Sequence, residues 1–382
     1  MSSPSILIHF SSLDDPRVER TRRHPLVDII VISILSTISG GEGWEDMEEF
    51  GEYHENWLRT FLDLPSGIPS ADTFRRVFNA LDPKKFQECF SAWMHALAEG
   101  TRGKLIAIDG KTVRRSFSKE HGIKPVHIVN AWVVENQLVL AQVATDEKSN
   151  EITAIPERLK LLQLKEATVS LDAMGCQKKI AEDITNRGGN YVMGLKGNQG
   201  HLKDSVEFFF KAALKDDFKD IEFSEFQETE KGHGRIERRT VWSTNDIDWF
   251  TEKSLWANLR SITMVKRERT IGESSSEEFS YYISSHDPDA ALLGSRIREH
   301  WSIENSLHWR LDMTFGEDLS RVRNRNGAIN LSALRKLALG LLKREPTMAK
   351  KSVRKKRWRA GMDLSYLLKV LSAAEIPKTQ AK

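Results

Sequence analysis

The chain has 382 residues, of which 40% are hydrophobic and 29% are charged, and its formal net charge is only +3. This length allows two or three domains, and the composition is that of a globular protein rather than a disordered or fibrous one. The two cysteines, Cys89 and Cys176, are far apart and lack the spacing of a zinc site. They argue against a disulfide scaffold and a structural zinc, and they fit a reducing cytosol.

The amino-terminal part, to about residue 98, is predicted to be helical. Apolar residues recur three or four positions apart in LVDIIVISILSTI, WEDMEEFGEYHENWLRTFL and ADTFRRVFNAL. The first run follows Pro25, contains Asp28 and ends at Gly40, and it is too short to span a bilayer. We interpret it as a buried core helix, and we expect a cytoplasmic protein with no membrane segment.

The third of these runs has the outline of a helix-turn-helix recognition element. It follows a Pro-Gly turn, Ser70 is a candidate N-cap, and Arg75 and Arg76 lie on the helix. An ordinary surface helix with solvated arginines fits the same pattern equally well, so both interpretations stay open.

Short apolar runs rich in β-branched residues begin near residue 104. KLIAIDG, VHIVNAWVV and QLVLAQVAT are predicted strands, and a helix follows from about Ile155 to Leu162. ATVSLDAMG is a fourth strand, KKIAEDITN is a helix that Gly188 ends, and NYVMGLKGN is a fifth strand. The predicted order is three strands, a helix, a strand, a helix and a strand.

Residues 200–290 are predicted to form an insertion with a separate polar sheet. EFQETEKGHGRIERRTVWST and LRSITMVKRERT have the pattern of strands, and segments such as TIGESSSEEFS are predicted to be charge-rich loops. A helix holding REHWSIENSLHWRLDMTFGED and a helix over NLSALRKLALGLL follow, and then a basic run around Trp358.

Acidic side chains end two of the predicted core strands. Asp109 ends LIAID, and Asp172 ends TVSLD. An acid at the carboxyl end of a buried strand in an α/β fold usually lines the crevice at that edge of the sheet. Because an uncompensated buried carboxylate is very costly, two such acids predict a shared site.

The late helix adds a third acid. Ile303, Leu307 and Leu311 predict an apolar stripe, with Glu304 at its edge and His300 and His308 four residues to either side. The His-Glu-His pattern is compatible with a zinc or iron site, but that site would leave both aspartates unexplained. Glu304 joined to the two aspartates gives an all-oxygen site, which suits Mg²⁺ or Mn²⁺.

Five strings in this order resemble the H-repeat-associated transposases of bacterial insertion sequences, a branch of the DDE transposase superfamily with an RNase H-like core. They are AIDGKTVRRS, SLDAMGCQKKIA, YVMGLKGNQ, GHGRIERR and HWSIENSLHWRLDMTFGEDLSR. The resemblance covers nearly the whole chain. It implies that Asp109, Asp172 and Glu304 are the catalytic residues and the ligands of two Mg²⁺ or Mn²⁺ ions.

One part of the superfamily pattern is not matched. Where the pattern Y-x2-R-x3-E-x6-K expects a tyrosine, an arginine and a lysine around the glutamate, the chain has Ile297, His300 and Leu311. We expect His300 to stand in as a phosphate contact, with Arg298 and Arg310 as nearby substitutes.

Further basic residues are candidates for contact with DNA. Cations beside a metal-carboxylate site hold backbone phosphates in register, and a basic tail adds affinity that falls with salt. The candidates are Lys111, Arg114, Arg115, Lys196, Arg235, Arg238, Arg298, His300, Lys355 and Arg357. Solvated loops, cross-strand ion pairs and a solvated tail are the alternatives. Asn198 is interpreted as a turn residue.

The predicted fold class is α/β: an RNase H-like core with a β-rich insertion, preceded by a helical domain. The expected domains are a helical domain with possible DNA binding (1–98), a catalytic core (99–340) interrupted at about 200–290, and a basic segment (341–382). The expected function is a DNA transposase that binds terminal inverted repeats, cleaves strands and joins them to target DNA, as a homodimer on double-stranded DNA. A metal-dependent nuclease without strand transfer and a catalytically inactive DNA-binding protein are the alternatives.

Overall fold

The computed structural model describes residues 5–98, 100–145, 151–232 and 234–373. The chain forms two compact units, each assembled from separate segments. The helical unit comprises Met1–Gly100, Gly110–Asn150 and Glu304–Lys382. The sheet unit comprises Thr101–Asp109 and Glu151–Ile303.

The helical unit contains most of the helices. They are α1 (Ser5–Phe10), α2 (Leu26–Ser39), α3 (Trp44–Tyr53), α4 (Glu55–Leu58), α5 (Ala71–Ala80), α6 (Pro83–Ala98), α11 (Trp309–Phe315), α12 (Arg325–Arg344), α13 (Val353–Met362) and α14 (Leu364–Ser372). The predicted core helix is α2: it follows Pro25, ends at Gly40 with φ +123°, and is buried over nearly its whole length. Among the described residues no single helix has the length and hydropathy to span a bilayer; α2 and α3 reach them only together, bent by 96°.

The helical unit also holds a β-hairpin on which two helices pack. Strands β2 (His127–Val133) and β3 (Leu138–Thr145) pair in antiparallel orientation, and β2 lies beside the end of β1 (Leu105–Thr112). Every residue of β2 is buried, as expected for a strand covered on both faces. Helices α6 and α12 pack against β3.

The sheet unit is one continuous sheet with helices beside it. Its remaining elements are α7 (Glu151–Lys160), β4 (Thr168–Leu171), α8 (Lys178–Asn186), β5 (Asn190–Leu195), α9 (Gly200–Lys215), β6 (Ser224–Gly232), β7 (Arg235–Thr244), β8 (Ser261–Ile271), β9 (Ser274–Ser284) and α10 (Ala290–His300). The strand order is β1-β4-β5-β9-β8-β7-β6. The pairs β1–β4 and β4–β5 are parallel, and every later pair is antiparallel.

The predicted fold class is confirmed. Three strands, a helix, a strand, a helix and a strand follow one another from β1 to β5. Three details differ from the prediction. The polar strands are not a separate sheet, because β9 pairs directly with β5. Helix α9 fills the start of the predicted insertion. The segment TIGESSSEEFS is no loop but the end of β8, a tight turn and the first part of β9.

The predicted late helix is interrupted. Helix α10 ends at His300, a π-helical turn spans Glu304–His308, and α11 begins at Trp309. Ile303, Leu307 and Leu311 are all buried, so the apolar stripe is real. A spacing of four residues is compatible with an α-turn and with a wider π-turn, and for this reason the pattern did not reveal the interruption.

Candidate active site

Asp109 and Asp172 occupy equivalent positions on neighbouring parallel strands. Ile108 of β1 is paired with Leu171 of β4, and each aspartate is the next residue of its chain. Both aspartates are partly buried. Because neighbouring strands lie about 4.8 Å apart, this register brings the two carboxylates close together. The expectation that Asp109 ends its strand is wrong, because β1 continues to Thr112, whereas Asp172 directly follows the last residue of β4.

The chain after Asp172 holds its carboxylate in place. Asp172 caps a short 3-10 turn, and its Oδ1 accepts hydrogen bonds from the backbone N–H groups of Met174 (3.0 Å) and Gly175 (3.2 Å). A Cβ atom at Gly175 would lie 2.5 Å from the side chain of Leu171, so any larger residue would crowd Leu171 in this tight turn. In the described part of the chain Oδ2 accepts no hydrogen bond, which leaves one oxygen fixed and the other available.

The loop after β5 braces the same turn. Asn198 Nδ2 donates to the carbonyl of Ala173 (2.5 Å), and Gln199 Nε2 donates to the carbonyl of Cys176 (2.6 Å). Asn198 therefore has a structural role in addition to its place in a turn. Lys196, which follows the end of β5, is exposed.

Glu304 lies on the π-helical turn of the helical unit. Its Oε2 is 3.4 Å from Nδ1 of His308, and the carboxylate is about half exposed whereas the imidazole is buried. One backbone carbonyl of the turn, that of Ser306, accepts a hydrogen bond from Lys343 Nζ of α12 (2.8 Å). The turn that carries Glu304 is thus tied to the longest helix of its unit.

Lys111 is the centre of a buried ion cluster. Its ammonium lies 2.7 Å from Asp312, 2.9 Å from Asp318 and 3.3 Å from Glu317, and the side chain is 9% exposed. Burial opposes the charged form, but the carboxylates outweigh it and raise the pKa of Lys111. An ammonium shared among three carboxylates is poorly placed to hold a phosphate, so the structure does not support the predicted phosphate contact of Lys111.

The two arginines after Lys111 are on the surface. Arg114 and Arg115 are exposed, and Arg114 Nε lies 3.2 Å from Asp318. The preceding residue, Val113, fixes where the backbone of both arginines lies, because it is buried and its N–H donates to the carbonyl of Val126.

His300 is an internal residue of the sheet unit. It is 7% exposed, and its Nδ1 is 2.9 Å from Ser170 Oγ on β4. This placement does not support the expectation that His300 contacts phosphate. Its polar edge is directed to the core strand that precedes Asp172.

Strands β6 to β9 extend from the core strands as an antiparallel β-ribbon, and its basic residues and those of α10 are mostly paired with acids. Arg298 contacts Glu228 and Glu230 of β6, and Arg235 is 3.6 Å from Glu237. Arg238 is exposed. In the folded unit Arg235 and Arg298 are thus engaged in ion pairs with glutamates of β6 and β7. Contact of these residues with DNA stays a prediction.

The basic run near the carboxyl terminus divides into exposed and internal residues. Lys355 is exposed, whereas Arg357 is 6% exposed. The Arg357 guanidinium donates to the carbonyls of Gly41 (2.9 Å) and Thr37 (3.1 Å) and stacks 4.6 Å from the ring centroid of Phe315. The structure does not support contact of Arg357 with DNA, because its donors are used inside the helical unit.

The candidate helix-turn-helix segment also has local ion pairs. Ser70 caps α5 as predicted, through the N–H of Thr73. Arg75 and Arg76 both pair with Asp72 one turn earlier. These pairs are typical of a solvated helix face.

The sequence did not single out the acids around Lys111 or the buried Lys343. Lys343 lies 4.6 Å from the ring centroid of Trp132, and burial, with a smaller effect of Arg310, lowers its pKa to about 7. The two adjacent acids in the string FGED were the one sequence signal for the Lys111 cluster. Lys111 and its acidic partners are about 200 residues apart in the chain, so their contact could not be predicted.

Comparison with known proteins gives consistent matches. Residues 7–94 match a domain described as DDE_Tnp_1-associated, and residues 100–341 match the family described as transposase DDE domain. YhhI of Escherichia coli K12, whose name assigns it provisionally to the H repeat-associated transposases, is 39% identical over 98% of this chain and 99% of its own.

Two further comparisons cover less of the chain or show less similarity. YbfQ of the same strain, named an inactive transposase, is 42% identical over 20% of this chain and 92% of its own. The cryo-EM structure of the piggyBac transposase synaptic complex with hairpin DNA is 12% identical, with a TM-score of 0.44 over 99% of this chain and 79% of that one.

Proposed function

This chain belongs to the family of the transposase DDE domain, and from that premise we propose that it is an active DNA transposase of a bacterial insertion sequence. It would bind terminal inverted repeats in double-stranded DNA, cleave phosphodiester bonds and join the freed strand ends to target DNA in the cytoplasm. Because two DNA ends take part, we propose that it works as a homodimer on DNA.

One observation carries this proposal: the two aspartates follow paired residues of neighbouring parallel strands. Two carboxylates held close together repel each other, and a cation bound by both would compensate that repulsion. We propose that Glu304 joins them as the third catalytic residue. All three lie within the matched residues 100–341.

The chemistry of the donors fits a divalent cation. Carboxylate oxygens are hard ligands, and Asp172 presents Oδ2 while Oδ1 is held by two backbone N–H groups. Asp109, Asp172 and Glu304 would hold two Mg²⁺ or Mn²⁺ ions. Such ions activate water and stabilise charge on a leaving oxygen.

The protein's own contribution is positioning. The capped turn after Asp172 and the π-helical turn at Glu304 fix the carboxylates before DNA binds. Exposed cations near the strand ends would hold the DNA backbone. We propose Arg114, Arg115 and Lys196 for this contact. Arg238 of the predicted core (99–340) and Lys355 of the predicted basic segment (341–382) would be further contacts outside the site.

The test is strand cleavage and strand transfer with labelled DNA that carries the inverted repeat flanking the gene, in Mg²⁺ or Mn²⁺. Wild type is compared with Asp109→Asn, Asp172→Asn and Glu304→Gln. Asp204→Asn, which neutralises an exposed acid of α9, is the matched control. We expect the three variants to bind DNA and lose both reactions by at least about a hundredfold, and the control to act like wild type.

The other outcomes separate the alternative functions. Cleavage without joining would favour a nuclease. A wild-type protein that binds DNA without cutting it in either metal would indicate an inactive DNA-binding protein, a state that the name of YbfQ shows for one relative. Variants as active as wild type would refute the carboxylate assignment.

A further inference from the structure

An extended basic segment lies between the ion cluster and α12. It spans residues 320–324, and its ends, Ser320 and Asn324, both have extended backbone angles (φ −63°, ψ 125° and φ −64°, ψ 126°). Arg321 and Arg323 are exposed, and Val322 between them is partly buried. The burial pattern therefore places both arginines on the solvent side of the segment and Val322 on its inner side.

Val322 anchors this segment to a core cluster. It packs against the cluster of Val113, Val126, Ile128, Ala328 and Ile329 in the helical unit. The inward valine sets the orientation of its neighbours, because turning either arginine inward would expose Val322 and bury a charge.

The same cluster anchors the two arginines after β1. Val113 is a member of it, and Arg114 and Arg115 follow directly. Four exposed arginines therefore lie around one apolar cluster, on two chain segments about 200 residues apart.

The charges of this surface are not neutralised in the way those of the β-ribbon are. Neither Arg321 nor Arg323 pairs with a carboxylate in the residues that the structure describes, whereas Arg298 pairs with two. Arg114 contacts Asp318, which Lys111 already shares. An exposed guanidinium with its donors open to solvent is well suited to bind a phosphate through two hydrogen bonds.

We infer that residues 320–324 form a strip that binds the phosphate backbone of duplex DNA through Arg321 and Arg323, next to Arg114 and Arg115. The inference rests on the proposed function and adds a surface to it. Because the contacts are to phosphates, they carry no sequence information and serve the inverted repeat and unrelated DNA alike.

The experiment measures DNA binding as a function of salt for the full-length protein. The variant is R321A/R323A, and the matched control R102A/R260A removes the same formal charge from two exposed arginines of the sheet unit that pair with acids. R321K/R323K keeps the charge. Each protein is titrated with a duplex containing the inverted repeat and with a scrambled duplex, and its thermal unfolding is recorded.

The slope of log affinity against log salt is negative, and we expect its magnitude to decrease by about 0.9 for each phosphate that the protein no longer neutralises, hence by about 1.8 for R321A/R323A. Over the tenfold range from about 1 M salt, where the two affinities are taken as equal, to about 0.1 M, this makes binding of both duplexes about 60-fold weaker than for wild type. The control and R321K/R323K keep the wild-type slope, and all variants unfold like wild type.

Three results would overturn the inference. An R321A/R323A slope equal to that of wild type, with wild type binding DNA, would refute the strip alone and leave the proposed function intact. A loss confined to the inverted-repeat duplex would replace backbone contact by base recognition. Failure of wild type to bind either duplex would refute the proposed function and the strip together.

Discussion

The stability of this protein should depend on pH through Lys343. Its ammonium is mostly buried beneath Trp132 and donates to the carbonyl of Ser306. The carbonyl and the ring face favour the charged form, but burial and, to a smaller extent, Arg310 outweigh them and lower the pKa from 10.5 to about 7. The substitution Lys343→Met removes the titration while keeping most of the volume.

The sign follows from counting protons. Above about pH 7 the folded state has lost the proton of Lys343, whereas the unfolded chain keeps it up to about pH 10.5. In this window the unfolded state binds more protons, so stability rises with pH. Each unit of pH changes the free energy of unfolding by about 1.4 kcal/mol. Between about pH 7.5 and about pH 9, the free energy of unfolding of wild type should therefore rise by about 2 kcal/mol relative to that of Lys343→Met.

The assay is urea unfolding of both proteins at several pH values, with the difference between their free energies of unfolding as the readout. Lys369→Met, which removes an exposed ammonium of α14, controls for the loss of a positive charge. A difference between wild type and Lys343→Met that stays flat across the window would refute the reasoning. It would mean that the folded state keeps the ammonium charged.

Three other substitutions test the internal contacts of predicted site residues. Lys111→Met leaves three carboxylates without their shared cation, and chemical denaturation should show a loss of about 3–5 kcal/mol; a loss below about 1 kcal/mol would contradict the buried cluster. Arg357→Ala removes the donors to Gly41 and Thr37 and should lower stability by about 3 kcal/mol without changing the salt dependence of DNA binding; a changed slope would restore Arg357 as a DNA contact. Ser170→Ala removes a partner of His300, and calorimetry should show a loss of about 1 kcal/mol; no loss would contradict the hydrogen bond.

The core strands and the acids that follow their apolar runs could be predicted because both signals are local. The apolar runs before Asp109 and Asp172 have the length and composition of buried strands, and each acid directly follows its run. Their equal register could not be read from the sequence. It depends on which strand pairs with which, a property of contacts between residues that are far apart in the chain.

The missed strand β9 shows the limit of composition. Its first half is exposed, with serines and glutamates at successive positions, and its pairing with β8 supplies the backbone hydrogen bonds that hold it extended. A segment without an apolar face has no period to detect. The tight turn at Gly272, with φ +57°, brings it back along β8.

The role of each basic residue depends on distant partners, and this explains which predicted DNA contacts the structure does not support. Lys111 and Arg357 look like surface cations in the sequence, yet their partners in space turn them into internal anchors. Arg321 and Arg323 show the opposite case, because the sequence does not distinguish their segment from other basic runs. Only the inward packing of Val322 shows that both guanidinium groups face solvent. A cation is therefore evidence for DNA contact only when its donors are open to solvent, and in the helical unit that condition favours residues 320–324 over Lys111.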